Sequence, residues 1–234
     1  MTMKRFKNEK FNNKPAIGRV FKAEAINADT HKLTIYGDIG ESAWGEYVTT
    51  SDVENALKGI EAKNIDVHIS SYGGDAFTGI AIYNLLKDHP ATITTHVEGI
   101  AASAASLIAM AGDKVVMNVG SMLMIHEAST IVWGNKGDIQ KTYNALEKID
   151  ESIGTIYMTK FQGERGDIDK MITNETWFTA KEAVEAGLAD SINEEKTPPA
   201  DPEEVKNAIL DKIRNRKPEP PQDPAPSILN RFKR

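Results

Sequence analysis

Ile65-Asp66-Val67-His68-Ile69-Ser70, then Asp75 to Lys87, then Thr92-Ile93-Thr94-Thr95-His96-Val97 are the residues that decide the fold class. The outer two stretches read as strands, rich in β-branched residues and bounded by turn formers. The middle one reads as a helix carrying Ile80, Ile82, Tyr83 and Leu86. The pattern continues with a helix from about Ala102 to Ala111 and short strands at Lys114 to Met117 and Met122 to Ile125. Strands alternating with helices predict an α/β domain, a largely parallel sheet covered on its faces.

Upstream, Val20 to Ala25 and Lys32 to Tyr36 read as strands around an Asn27-Ala28-Asp29 turn. Gly37-Asp38-Ile39-Gly40-Glu41 breaks that pattern, and Ser51-Asp52 is expected to cap a helix bearing Val53, Ala56, Leu57 and Ile60. Downstream, Asp138 to Lys160 is the longest helical pattern. Its stripe of Ile139, Tyr143, Leu146, Ile149, Ile153 and Ile156 either packs on its own domain or projects into an oligomer interface. A short helix from Ala180 to Ala186, Gly187 and a strand from Ala189 to Ile192 close the domain. Eight of the ten prolines then lie between Pro198 and Pro226. Residues 194–234 therefore read as a proline-rich tail, with one short amphipathic helix expected at 203–213. Residues 1–16 read as a basic flexible arm, leaving 17–193 as the folded domain.

Composition narrows the chemistry. The 234 residues contain no cysteine, which excludes disulfides, thiolate catalysis and cysteine-bound metal. The five histidines show no metal-ligand spacing, so neither metal nor cofactor is expected. A net charge of -6 argues mildly against a nucleic-acid partner, and the basic arm reads as a solvated segment. No apolar run approaches the ~18 residues of a membrane span, so no membrane is expected and the location is taken as cytoplasmic.

Three segments carry candidate chemistry. Ser103 opens a helix, where a serine is ordinarily an N-cap. Its neighbours Ala101 to Ala105 are all small, however, so a substrate backbone can approach the hydroxyl. It also lies just past a strand end in a parallel sheet, where α/β proteins bind ligands. The helix start offers about half a positive charge to a developing anion. Gly73-Gly74 sits at the preceding strand-to-helix turn, where absent side chains let N–H groups point outward. The N–H groups of Gly74 and Ala104 would hold one oxyanion between them, each donor contributing roughly 3 to 4 kcal/mol. His126 ends the run Met122 to Ile125, and its near-neutral pKa suits it to take and return the serine proton. His31, His68, His89 and His96 read as structural. The residues alone leave the orienting carboxylate open among Glu127, Asp138, Asp167, Asp169 and Glu175.

Gly99-Ile100-Ala101-Ala102-Ser103-Ala104 resembles the Gly-x-Ala-Ala-Ser-x nucleophile segment of the Clp protease proteolytic subunit family. Met124-Ile125-His126-Glu127 resembles its Met-Ile-His-Gln segment, and Ser71-Tyr72-Gly73-Gly74 its Ser-Pro-Gly-Gly turn. Phe178-Thr179-Ala180-Lys181-Glu182-Ala183 through Gly187-Leu188-Ala189-Asp190 is similar to its closing motif. The match runs in one order from about Ile35 to Ile192. It implies a serine endopeptidase with a crotonase-like fold, a long projecting handle helix at Asp138 to Lys160, and stacked ring homo-oligomers. Ser103 would be the nucleophile, His126 the base, and the family's aspartate would fall on Glu175, one methylene longer.

Tyr72 in place of proline, Tyr36 to Trp44, and Glu175-Thr176-Trp177-Phe178-Thr179-Ala180 look like the Clp-related head maturation proteases of phages and prophages. That branch implies scaffold or capsid protein as substrate. The housekeeping subunit, working with an ATPase unfoldase, is the alternative; this chain has no Gly-Lys-Ser/Thr phosphate loop of its own. A crotonase-type acyl-CoA enzyme or a non-catalytic ring scaffold would share the fold. Serine–lysine signal-peptide peptidases are usually membrane-anchored, and the Gly-x-Ser-x-Gly elbow of α/β-hydrolases is absent.

Overall fold

The computed structural model describes residues 17–41 and 46–193. The basic arm 1–16, residues 42–45 with the end of the phage-like segment, and the tail with its expected helix 203–213 lie outside the described residues.

Strand β1 (Val20–Asn27) turns back into β2 (Thr30–Tyr36), pairing antiparallel with Val20 opposite Tyr36. Strands β3 (Asn64–Ser71), β4 (Thr92–Ala102) and β5 (Lys114–Asn118) then add in parallel. Strand β6 (Met122–Ile125) pairs parallel with the end of β4, β7 (Thr176–Thr179) pairs antiparallel with β6, and β8 (Ser191–Asn193) lies beside β5. The helices are α1 (Thr50–Leu57), α2 (Ala76–Asp88), α3 (Ala104–Ala109), α4 (Lys136–Tyr157), α5 (Arg165–Thr173) and α6 (Ala180–Glu185).

Three elements differ usefully from the sequence reading. Strand β4 does not stop at Val97. Ile69 faces Val97 but Ser71 faces Ala101, so a bulge around Gly99 absorbs the extra residues and bends the strand. Beyond the bend β4 exchanges β5 for β6, pairing Ala102 with Met124. Helix α3 therefore begins only at Ala104, and all six of its residues are buried. Gly79 of α2 lies so close that a Cβ there would sit 2.9 Å from the Ala104 Cβ. Truncating Leu107 in this packed layer would cost about 2 to 5 kcal/mol. The N-cap of α1 is Thr49, two residues before the expected Ser51, and Thr49 and Asp52 form a reciprocal capping box.

The described residues cover the two faces of the sheet unequally. Ile65, Val67 and Ile69 are buried, whereas Asp66, His68 and Ser70, alternating with them, are half-buried. On that second face the His68 and His96 rings stack with centroids 4.6 Å apart. Glu98 bonds His68 through one oxygen and takes the Asn118 amide at 2.7 Å through the other.

Helix α4 divides the two readings of its stripe between its ends. Ile153, Ile156 and Tyr157 are buried in the core. Ile139 and Tyr143 are exposed, as are Ile131, Val132 and Trp133 ahead of the helix, the last at 98%. Asn135 and Asp138 close a capping box that starts the helix firmly despite that exposure.

Candidate active site

The split of β4 brings the three segments together. Ala102 pairs with Met124, so Ser103 and His126 follow adjacent strand ends that run the same way. The Ser103 N–H donates to the Met124 carbonyl at 3.0 Å, tying the two loops. The Ser103 hydroxyl and His126 Nε2 then lie 2.7 Å apart. The serine occupies the N-cap position of α3, yet its side chain makes no capping bond, and its backbone is strained at φ 55°, ψ −128°.

The glycine turn faces this serine, as neighbouring crossovers should. Gly73 has φ +93°, and a Cβ on it would lie 2.7 Å from Ser103 Cβ and 2.9 Å from Ala104 N. Only glycine fits that approach. Its N–H donates to Ser71 Oγ at 2.9 Å and its carbonyl accepts from Ile39 N–H, which holds the turn while Asp75 caps α2. Gly74 and Ala104 both line the cleft beside Ser103 and His126.

Glu175 stands one rung from the histidine. Thr176 pairs with Ile125 across the antiparallel β6–β7 ladder, which sets the preceding residue Glu175 beside the following residue His126. A left-handed turn at φ 49° places it there after α5. Because Nε2 addresses Ser103, Nδ1 is the nitrogen on the ring's other edge. The remaining carboxylate candidates are engaged elsewhere. Asp138 caps α4, Asp167 meets Lys170 at 3.1 Å, Asp169 meets Arg165 at 2.7 Å, and exposed Glu127 accepts from Thr173 at 2.9 Å.

The cleft in front of Ser103 has a volume of about 410 Å³, and Phe77, Leu107, Leu146, Ile149 and Ile153 give it apolar walls. Ala128 also lines the cleft, and its N–H donates to the Asp150 carboxylate at 2.7 Å. Partial burial, with the Glu127 charge nearby, pushes the Asp150 carboxyl above the usual carboxylate range. Among the described residues no three His, Asp or Glu side chains are grouped to hold a metal ion. No helix among them is long and apolar enough to cross a membrane.

Two buried hydroxyls behind the serine were not foreseen. Ser106 Oγ lies 2.6 Å from the Ser103 carbonyl and 2.6 Å from Tyr157 OH. Spacing held a clue to the first, since a helical serine often bonds a carbonyl three or four residues back. A tyrosine ending an apolar stripe likewise needs a partner for its hydroxyl.

A profile described as Clp protease matches residues 54–196. Among curated proteins the chain is similar to an ATP-dependent Clp protease proteolytic subunit of Bacteroides fragilis, 31% identical over 56% of this chain and 64% of the relative. It is also similar to subunit 1 of Protochlamydia amoebophila, 30% identical over 53% of this chain and 62% of the relative. Subunit 2 of Treponema denticola is 28% identical over 79% of this chain and 92% of the relative. The chain spans just under two thirds of the length of the Bacteroides fragilis and Protochlamydia amoebophila relatives it matches.

Proposed function

Because the chain belongs to the Clp protease family, we propose that it is a serine-type endopeptidase with Ser103 as nucleophile and His126 as base. The observation that supports this most is the 2.7 Å approach of Ser103 Oγ to His126 Nε2 at the mouth of an apolar cleft. In the forward step Oγ bonds the scissile carbonyl carbon while its proton passes to Nε2. The carbonyl oxygen becomes an oxyanion held by the N–H groups of Gly74 and Ala104. Collapse breaks the C–N bond, and Nε2 returns the proton to the departing amine. Water then repeats the sequence on the acyl-serine, freeing the acid and restoring Ser103. Glu175 would fix the imidazole tautomer from the Nδ1 side and offset the charge His126 gains. The apolar cleft suits polypeptides with an apolar side chain beside the cut.

The fold assigned to this chain is then the crotonase-like one of the Clp subunits, with α4 as the handle. The bare apolar residues along its outer half and on the segment before it support a homo-oligomer, ring-shaped as the resemblance implies. Replacing Tyr143 and Trp133 with serine should lower the mass seen by sedimentation velocity. The role we assign is head maturation of a phage or prophage, cutting scaffold or capsid protein; Tyr72 in the glycine turn and the proline-rich tail favour it. The names of the curated relatives favour the second reading, a proteolytic subunit served by an ATPase unfoldase. A fluorophosphonate should label the full-length chain at Ser103 and fail to label Ser103→Ala. Absence of that adduct ends the protease reading in favour of an acyl-CoA enzyme or a scaffold. Mass spectrometry of the active chain mixed with its neighbouring capsid and scaffold proteins separates the two roles: discrete trimming supports maturation, and cutting only with an unfoldase and ATP supports the second.

A further inference from the structure

The carbonyl of Ser103 accepts twice from one residue, the Ser106 N–H at 2.9 Å and the Ser106 hydroxyl at 2.6 Å. Ser106 has one hydroxyl proton, and that bond commits it. In the 2.6 Å contact between Ser106 Oγ and Tyr157 OH, tyrosine must therefore be the donor. Both side chains are buried, so no water competes for either. Burial pushes the Tyr157 phenol far above its ordinary value, which keeps the donor proton in place.

This relay ends on a particular peptide. The carbonyl of Ser103 and the N–H of Ala104 belong to the same planar trans unit and point in opposite directions. The orientation of that plane is set by ψ of Ser103, which sits at −128° in a sparsely populated region. The N–H of Ala104 is at the first position of α3 and has no intrahelical acceptor to steady it. We infer that Ser106 and Tyr157 are positioning residues: their hydrogen bonds grip the Ser103 carbonyl from the core side and so aim the Ala104 N–H at the oxyanion. A carbonyl that accepts strong bonds also polarises its peptide, which makes the N–H a better donor. Tyr157 comes from the last turn of α4, so the grip joins that helix to the reacting centre. The inference rests on the protease reading and extends it to two residues outside the triad.

The test uses the full-length chain, Ser106→Ala, Tyr157→Phe and the double variant, with a fluorogenic peptide bearing an apolar residue before the cut. Melting temperature and assembly state are measured alongside. Ser106→Ala should lose about tenfold in kcat with KM unchanged, less than the roughly 10² to 10³ of deleting an oxyanion donor outright. Tyr157→Phe should lose about threefold, because Ser106 keeps its proton on the carbonyl. The double variant should resemble Ser106→Ala alone, as links in series do. Values of kcat within about twofold of wild type in folded Ser106→Ala overturn the inference, as does a rise in KM with kcat unchanged. Should Ser106→Ala fail to fold, Tyr157→Phe decides by the same split of kcat from KM. A wild-type chain that neither cuts peptide nor takes a fluorophosphonate at Ser103 overturns the protease reading and the relay with it. Active wild type with indifferent variants overturns the relay alone.

Discussion

Ser103 holds a backbone conformation that only glycine adopts at no cost, φ 55° and ψ −128°. Such positions cost about 1 to 3 kcal/mol when occupied by a residue with a Cβ. Two variants isolate that cost. Ser103→Ala and Ser103→Gly both lose the hydroxyl and its 2.7 Å partner His126 Nε2, so the lost hydrogen bond cancels between them. They differ only by the Cβ. Glycine relieves the strain but returns about 0.5 to 1 kcal/mol through the greater freedom of its unfolded chain. Taken at mid-range, about 2 less about 0.75 kcal/mol, the balance leaves Ser103→Gly about 1 kcal/mol more stable than Ser103→Ala. In a domain of this size each kcal/mol moves the melting temperature by about 2 to 4 °C, so the gap should be about 2 to 4 °C. Differential scanning calorimetry at matched protein concentration and matched assembly state measures it. Neither variant should cut peptide. A glycine variant melting at or below the alanine variant would show that the serine backbone stores no strain, and that its conformation is set by something other than the geometry of attack.

Gly73→Ala would place a Cβ 2.5 Å from the Ala102 carbonyl at φ +93°, so the end of β4 must retreat. A displacement of about 1 Å at the nucleophile should lower kcat on the order of 10²-fold; unchanged turnover would refute the close approach. Glu175→Gln should approach the ~10⁴-fold loss seen when a triad carboxylate becomes an amide, because glutamine supports the wrong tautomer. Near-normal kcat would move the orienting role elsewhere. Burial first, and then the neighbouring His68, holds the His96 imidazole below its ordinary value, with Asp66 and Glu98 opposing. The unfolded chain then binds the proton before the folded one does. The stability tied to neutral His96 is thus fully present above its unfolded value and declines as pH falls toward the lowered one. Thermal melts from about pH 7 to about pH 5 should fall less steeply in His96→Gln than in wild type; parallel curves would refute it.

Much of this architecture was legible because its signals are local. The strands at 65–70 and 92–97 and the helix between them are defined by their own apolar patterns, and the glycine pair marks the turn that must pass close to another backbone. What escaped depends on distant partners. Gly99 looks like a strand terminator, yet β4 continues past it because β6 supplies new hydrogen bonds. Four residues, Thr176 to Thr179, are too few to announce a strand, and β7 exists because β6 lies open to pair with it. That ladder is also what sets Glu175 beside His126, so the residues alone left five carboxylates in play. Helix α5 carries only Ile168 and Ile172 as buried anchors, a stripe too sparse to read. The link from Ser106 to Tyr157 spans fifty-one positions and has no periodicity at all.

Helix α4 carries one apolar stripe through two settings along a single rod. Its later turns, through Leu146, Ile149 and Ile153, wall the cleft in front of the Ser103 hydroxyl. Its first turns leave Ile139 and Tyr143 of the same stripe bare. A partner that took hold of those first turns would therefore bear on the same rod that walls the cleft.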